Sequence, residues 1–171
     1  MTDFSLVPVV IDALVALSKA ALPTLAANNA VFDGPPTVDL PEQYAAIGYD
    51  VGVSGSGVGR PGLPAVSGGQ EISDLGNNEV GEAFDVHCSV SSYSGDVDTA
   101  GQRLAALVLF NAIAGAIAAD RSLGGVVPKP GKAVITRFEW YIEQGADMGG
   151  TSVSIMFAVS VAVDFVSWSG T

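Results

Sequence analysis

Charge is scarce in this chain, and what there is lies unevenly. Only 15% of its 171 residues are Asp, Glu, Lys or Arg, against about 25% in an average soluble domain. Seven bases face eighteen acids, a formal net charge of −11. Residues 1–100 hold thirteen acids and two bases, whereas residues 101–171 hold five of each. Most of such a surface repels a polyanion, which argues against a nucleic-acid grip. The single cysteine, Cys88, excludes an internal disulfide framework and any multi-cysteine zinc site. The single histidine, His87, leaves little for acid–base or metal chemistry. No cofactor, no metal and no enzymatic activity are therefore expected.

Long uninterrupted apolar runs are missing too. The best candidate, Leu104 to Ala119, has sixteen residues, includes Asn111 and is flanked by Arg103 and Asp120. A membrane-spanning helix needs roughly 20. Residues 4–17 are apolar, but Asp3 precedes them and no Lys or Arg does, against a secretory signal. No membrane association is expected.

Apolar residues, by contrast, are abundant: 49% of the chain, with a mean hydropathy of +0.42. A chain this apolar that stays out of the membrane is expected to hide surface against partners. Its length suits one domain over 1–171, which as a monomer would bury roughly 70% of its unfolded surface.

The pattern predicts a helix from Ser5 to Leu22, capped by Ser5, with Pro8 in its first turn and Val10, Leu14, Leu17 and Ala21 as its apolar stripe. Turn chemistry follows at Asp33-Gly34-Pro35-Pro36, then a modest strand from Tyr44 to Val53. A long Gly/Pro/Ser-rich loop is expected over about 53–78. Val80, Phe84, Val86, Cys88 and Val90 alternate with Asp85, His87, Ser89 and Ser91, the pattern of a strand with one apolar face. Asp98 caps a second helix from Thr99 to Asp120, whose Leu104, Leu107, Val108, Phe110, Ile113 and Ile117 are spread too widely for one stripe. Such a helix is expected to be covered on more than one face. Two strands close the chain. In the first, Val134, Phe138, Trp140 and Ile142 share a face opposite Arg137, Glu139 and Glu143; Val153 to Phe165 then alternates at every odd position. Together they read as an antiparallel hairpin, and the whole as an α+β fold: an antiparallel β-sheet with two main helices packed on one side.

Few motifs carry chemistry. Gly57-Val58-Gly59-Arg60-Pro61-Gly62 fits the letters of a dinucleotide-binding loop, but Pro61 and Pro64 follow and no helix starts there. His87 and Cys88 point to opposite faces of a strand, which leaves Cys88 as a small core residue and His87 on a solvent or interface face. Asp96 and Asp98 are too few for a calcium loop and suit helix capping. Arg103, Arg121 and Arg137 are natural counterparts, across a subunit boundary, for the acid-rich first half. With Glu139, Asp85 and His87 they form the expected inter-subunit set.

The order of elements resembles that of the tail terminator proteins of siphophages, bacteriophages with long, non-contractile tails. The matching pieces are the helix around Val10–Leu22, the turn Phe32-Asp33-Gly34, the strand Phe84–Val90, the helix Thr99–Asp120, and the strands Val134–Ile142 and Val153–Phe165. The resemblance implies a ring-forming structural protein of the virion. A hexameric ring would cap the head-proximal end of the tail tube, end its polymerisation and offer the surface for head–tail joining. Its partners would be copies of itself, the major tail tube protein and the head–tail connector or neck protein. DNA would pass through the lumen without specific binding. The protein would reside in the virion, at the head–tail junction, and in the host cytoplasm during assembly. Contacts made on assembly are expected at the long loop (Ser54, Ser56, Val58, Arg60, Leu63, Val66) and at the hairpin tip (Gln144, Asp147, Met148). A connector or tail-tube subunit of the same virion is the neighbouring alternative; a small hydrolase using His87 or a small-ligand binding module is more remote.

Overall fold

The computed structural model describes residues 5–36, 40–49, 64–74, 79–145 and 150–165. The chain begins with α1 (Val7–Ala21) and the short α2 (Pro23–Ala27), and continues through β1 (Val31–Asp33), β2 (Gln43–Ile47), β3 (Val66–Asp74) and β4 (Glu79–Ser94). The helix α3 (Thr99–Ala119) and the hairpin β5 (Lys132–Gly145) and β6 (Gly150–Phe165) complete it.

Among the described residues, six strands form one sheet in the order β1-β2-β4-β6-β5, with β3 also paired to β4. β2 takes the Cys88–Ser92 stretch of β4 and β3 the Glu79–Val86 stretch, so both lie along the same side of β4. All pairings are antiparallel except β1–β2, which is parallel, so the sheet is mixed rather than purely antiparallel. The expected α+β class holds.

Strand alternation decides which side the helices cover. On β4, Phe84, Val86, Cys88 and Val90 are buried beside Val161, Val159, Phe157 and Ile155 of β6. Onto this face α3 sets Ala106, Leu109, Ile113 and Ile117, spaced three and four residues apart, all buried. α1 lays Val10, Leu14 and Val15 into the same core. The N-terminus of α1 is fastened to the sheet: Glu82 of β4 accepts the Leu6 N–H at 2.8 Å and the Ser5 hydroxyl. Ser5 in turn accepts the Val7 N–H at 3.1 Å. The helix thus starts at Val7 with Leu6 in the capping position, and the carboxylate, rather than Ser5 alone, meets its unpaired donors.

Asp98 caps α3 as expected, accepting the Gly101 N–H at 2.9 Å. At the other end, Asp120 accepts the N–H of Ser122 at 3.0 Å and of Gly124 at 2.7 Å. Gly124 and Gly125 follow with φ of 74° and 87°, where glycine escapes the Cβ penalty. α3 has 21 residues and is long and apolar enough to cross a membrane, so run length alone does not exclude that role. Its packing gives it another: one face is the lid of this sheet.

Two further expectations need correction. Val66–Asp74 lies inside the stretch read as a loop, yet it forms β3. Gly68 explains both the strand and the misreading: a Cβ there would run into the Ala83 carbonyl oxygen and Phe84, so close pairing with β4 requires glycine. In β5, a bulge between Ile135 and Arg137 inserts Thr136. Val134 pairs with Ser160, on the face away from the helices, whereas Phe138 pairs with Phe157 on the helix side. Val134 therefore does not share a face with Phe138, Trp140 and Ile142.

Candidate functional site

The unusual surface lies where the helix layer runs out. Phe110 of α3 stacks against Phe157 at 5.4 Å between ring centroids and against Phe138 of β5 at 5.7 Å. Beyond that cluster the described residues cover the helix side of β5 only in part. Phe138 is 56% exposed, Trp140 38% and Ile142 46%. On the outward side of α3, Leu104 is 64% and Val108 58% exposed. α3 is thus covered by the sheet and by α1, while its Leu104 and Val108 side stays exposed among the described residues. Side chains of this size left together in water mark a contact surface.

Arg103 is exposed on α3, two turns before Phe110. Arg137 and Glu139 are exposed on the opposite sheet face, paired with Ala158 and Met156. The Tyr141 hydroxyl donates to Glu139 at 2.5 Å. Arg121 is exposed in the turn after α3, and its carbonyl accepts the Ala133 N–H at 2.8 Å. Arg137 and Glu139 therefore stand on the helix-free side of β5, Arg121 adjoins the strand's start, and Arg103 lies on the other side of the sheet, on α3.

Asp85 and His87 sit elsewhere on the face away from the helices. Asp85 accepts the Ser160 hydroxyl, and Ser160 also bonds Thr136 at 2.6 Å. His87, expected on a solvent or interface face, is only 6% exposed. The reason is β3: it brings Ser67 beside β4, where Ser67 Oγ meets His87 Nε2 at 3.0 Å. A Ser–His pair at this distance has the spacing of a nucleophile and base. Asp85, two residues along on the same face, accepts the Ser160 hydroxyl. Cys88 faces the core, 1% exposed, and burial pushes its thiol up to about 12 despite a backbone hydrogen bond from Gly48. It is a protonated thiol at neutral pH, without nucleophilic strength.

Among the described residues no group of three or more His, Cys, Asp or Glu is placed to hold a metal ion. A shallow groove of about 310 Å³ runs over Ser67, Asp85, Lys132 and Ser160 on the helix-free face. Of the loop and tip positions, Val66 opens β3 and packs against the core. Gln144 pairs with Thr151 near the end of β5. Ser54, Ser56, Val58, Arg60, Leu63, Asp147 and Met148 lie outside the described residues, as does the Gly57–Gly62 stretch.

No family model matches the sequence, and no curated protein does. The fold has a counterpart among solved structures. A chain in the virion of a native gene transfer agent (GTA) particle is similar over 94% of this chain and 100% of its own length, with a TM-score of 0.51 and 14% identity.

Proposed function

We propose that this protein is a structural component of a phage-like virion, acting as a tail terminator: a ring on the head-proximal end of the tail tube that ends tube growth and receives the head. The observation that carries the reading is the end-to-end likeness in fold to a chain of a GTA virion, none of whose length is left over. Two physical features support it. Phe138, Trp140 and Ile142 on β5, and Leu104 and Val108 on the outward side of α3, are exposed among the described residues and favour cover by a partner. Heterologous contacts between identical chains supply such cover and close into rings. The acidic balance suits a passage for DNA that slides without adhering. The loop and hairpin-tip residues named above are the proposed contacts to tube and neck.

Electron microscopy and native mass spectrometry of the purified full chain test the reading. Discrete rings that bind the ends of tail tubes and stop their growth are expected. A stable monomer, or open polymers growing from added tube seeds, overturns the terminator assignment; the second outcome favours a tube subunit. Deleting residues 55–63, which spares β3, is expected to leave ring formation intact and abolish head–tail joining.

A further inference from the structure

We propose that the outward face of the helix layer is a self-complementary contact: α3 packs antiparallel on α3 of a second copy, about a two-fold axis through Asn111. This surface is separate from the β5 strip, so the contact goes beyond the ring reading. A two-fold contact added to a ring joins two rings through their helix layers.

The face is regular and nearly uncharged. Leu104, Val108, Asn111, Gly115 and Ala118 recur at spacings of four and three in turn, and all are exposed among the described residues. That is the spacing of a seam that one helix presents to another. The opposite side of α3, with Ala106, Leu109, Ile113 and Ile117, is the one buried on the sheet. Arg103 is the only charged residue of the helix and stands near its start.

Gly115 points to a close neighbour outside the chain. Glycine in a helix interior costs about 1 kcal/mol against alanine. A Cβ there would meet nothing within 4 Å, so no contact among the described residues demands its absence. The approach of a second backbone does.

Size selects the mate and its direction. The large side chains stand at the start of the stripe and the small ones at its end. Antiparallel pairing about Asn111 sets Leu104 against Ala118, and Val108 against Gly115, of the second copy. The two Asn111 amides meet on the axis, where each can donate to the other. Parallel pairing would stack Leu104 on Leu104 and leave a gap over Gly115 and Ala118.

Charge agrees along both helices. α1 lies beside α3 in the same layer and exposes Val9, Asp12, Ala16 and Lys19. Asp12 and Lys19 are two turns apart, about 10 Å, too far to pair within one helix. α1 starts where Glu82 holds Leu6, and α3 starts near the other end of β4, where Ser92 donates to Gln102. The helices therefore run in opposite directions. Ala16 lies about 15 Å along from Leu6 and Asn111 about 14 Å along from Gln102, on a stretch of β4 about 33 Å long. Both come near its middle, so one axis across the layer serves both helices. It brings Asp12 to Lys19, Arg103 to Asp120 and Asp98 to Arg121 of the second copy. These six are the exposed charges within two residues of either helix. Parallel pairing would set each against its own kind. Two helices side by side cover roughly 20 Å by 25 Å, so two copies reach about the 1,000 Å² of a weak specific contact.

Sedimentation velocity of the full chain tests the contact, with thermal melts at high dilution as the check on folding. Gly115→Leu favours the helix. It is expected to keep or raise the melt and to weaken self-association about tenfold or more. Asn111→Cys is expected to form a disulfide with its own kind under mild oxidation. Leu104→Cys alone is not, but mixed with Ala118→Cys it is expected to cross-link. Cys88, only 1% exposed, does not compete. Self-linking of Leu104→Cys as readily as Asn111→Cys overturns the antiparallel register. If Gly115→Leu associates as the wild type does and Asn111→Cys fails to self-link, this face is not the contact, and rings seen by microscopy still support the terminator reading. A wild type that is monomeric at every concentration overturns both.

Discussion

Glu82 Oε2 accepts the Leu6 N–H at 2.8 Å across 76 residues of chain, so the first turn of α1 is held by an acid from the middle of the sheet. Glu82 is itself buried. Glu82→Ala strands the Leu6 N–H and the Ser5 hydroxyl together, and is expected to cost about 1–3 kcal/mol. Glu82→Gln, which keeps an acceptor, is expected to lose less. Chemical denaturation of both variants measures the difference, and equal stability of all three proteins contradicts the role assigned to Glu82.

Cys88 is expected to resist thiol reagents in the native protein and to react at once in denaturant. Its folded pKa is raised from an ordinary 9.0 to about 12. Between these values the folded chain holds a proton that the unfolded chain releases, so rising pH favours unfolding. The thiol's contribution is fully present below about pH 9 and is lost towards pH 12. Cys88→Ala is expected to flatten that part of the alkaline denaturation profile.

Asp120 shows the opposite sign. Hydrogen bonds from the Ser122 hydroxyl, the Gly124 N–H and the Ser122 N–H hold its carboxyl below the usual carboxylate range. Its contribution is present above that range and disappears as pH falls through the folded value. Asp120→Asn is expected to melt below the wild type at pH 7, with the gap closing in acid. A gap unchanged down to pH 2 contradicts the assignment.

Phe110 joins α3 to both strands of the closing hairpin. Truncation to Ala removes its packing against Phe138 and Phe157 and is expected to cost about 2–4 kcal/mol, near the range for large-to-small changes in a core. Phe138→Ala, at a half-exposed position, is expected to cost less in the monomer and more in the assembled form. Thermal melts below and above the assembly concentration separate the two.

Local chemistry made part of this fold legible in sequence. α3 was bounded within a residue by Asp98 and the Gly124-Gly125 turn, because capping is local. The opposed faces of His87 and Cys88 followed from strand alternation alone. β3 was hidden because Gly68 and Gly69 remove the apolar signal from a strand whose pairing demands a missing side chain. The burial of His87 followed from that strand and was hidden with it. Glu82 looked like any acid in an acidic chain, since its partner lies 76 residues away. The open flank was foreshadowed by the breadth of apolar residues on α3, but alternation alone assigned Val134 to the wrong side of β5.

Thr136 accounts for that misassignment. Side chains in a strand change side with every residue, so one surplus position puts the sequence parity before it out of step with the parity after it. The paired faces themselves do not move: Ile135 sits on Val159 and Arg137 on the very next partner, Ala158. A chain without Thr136 would keep Phe138, Trp140 and Ile142 beside α3 and lose only the local kink and the hydroxyl that meets Ser160. Parity counted along a strand is therefore a guide to its faces only between one bulge and the next.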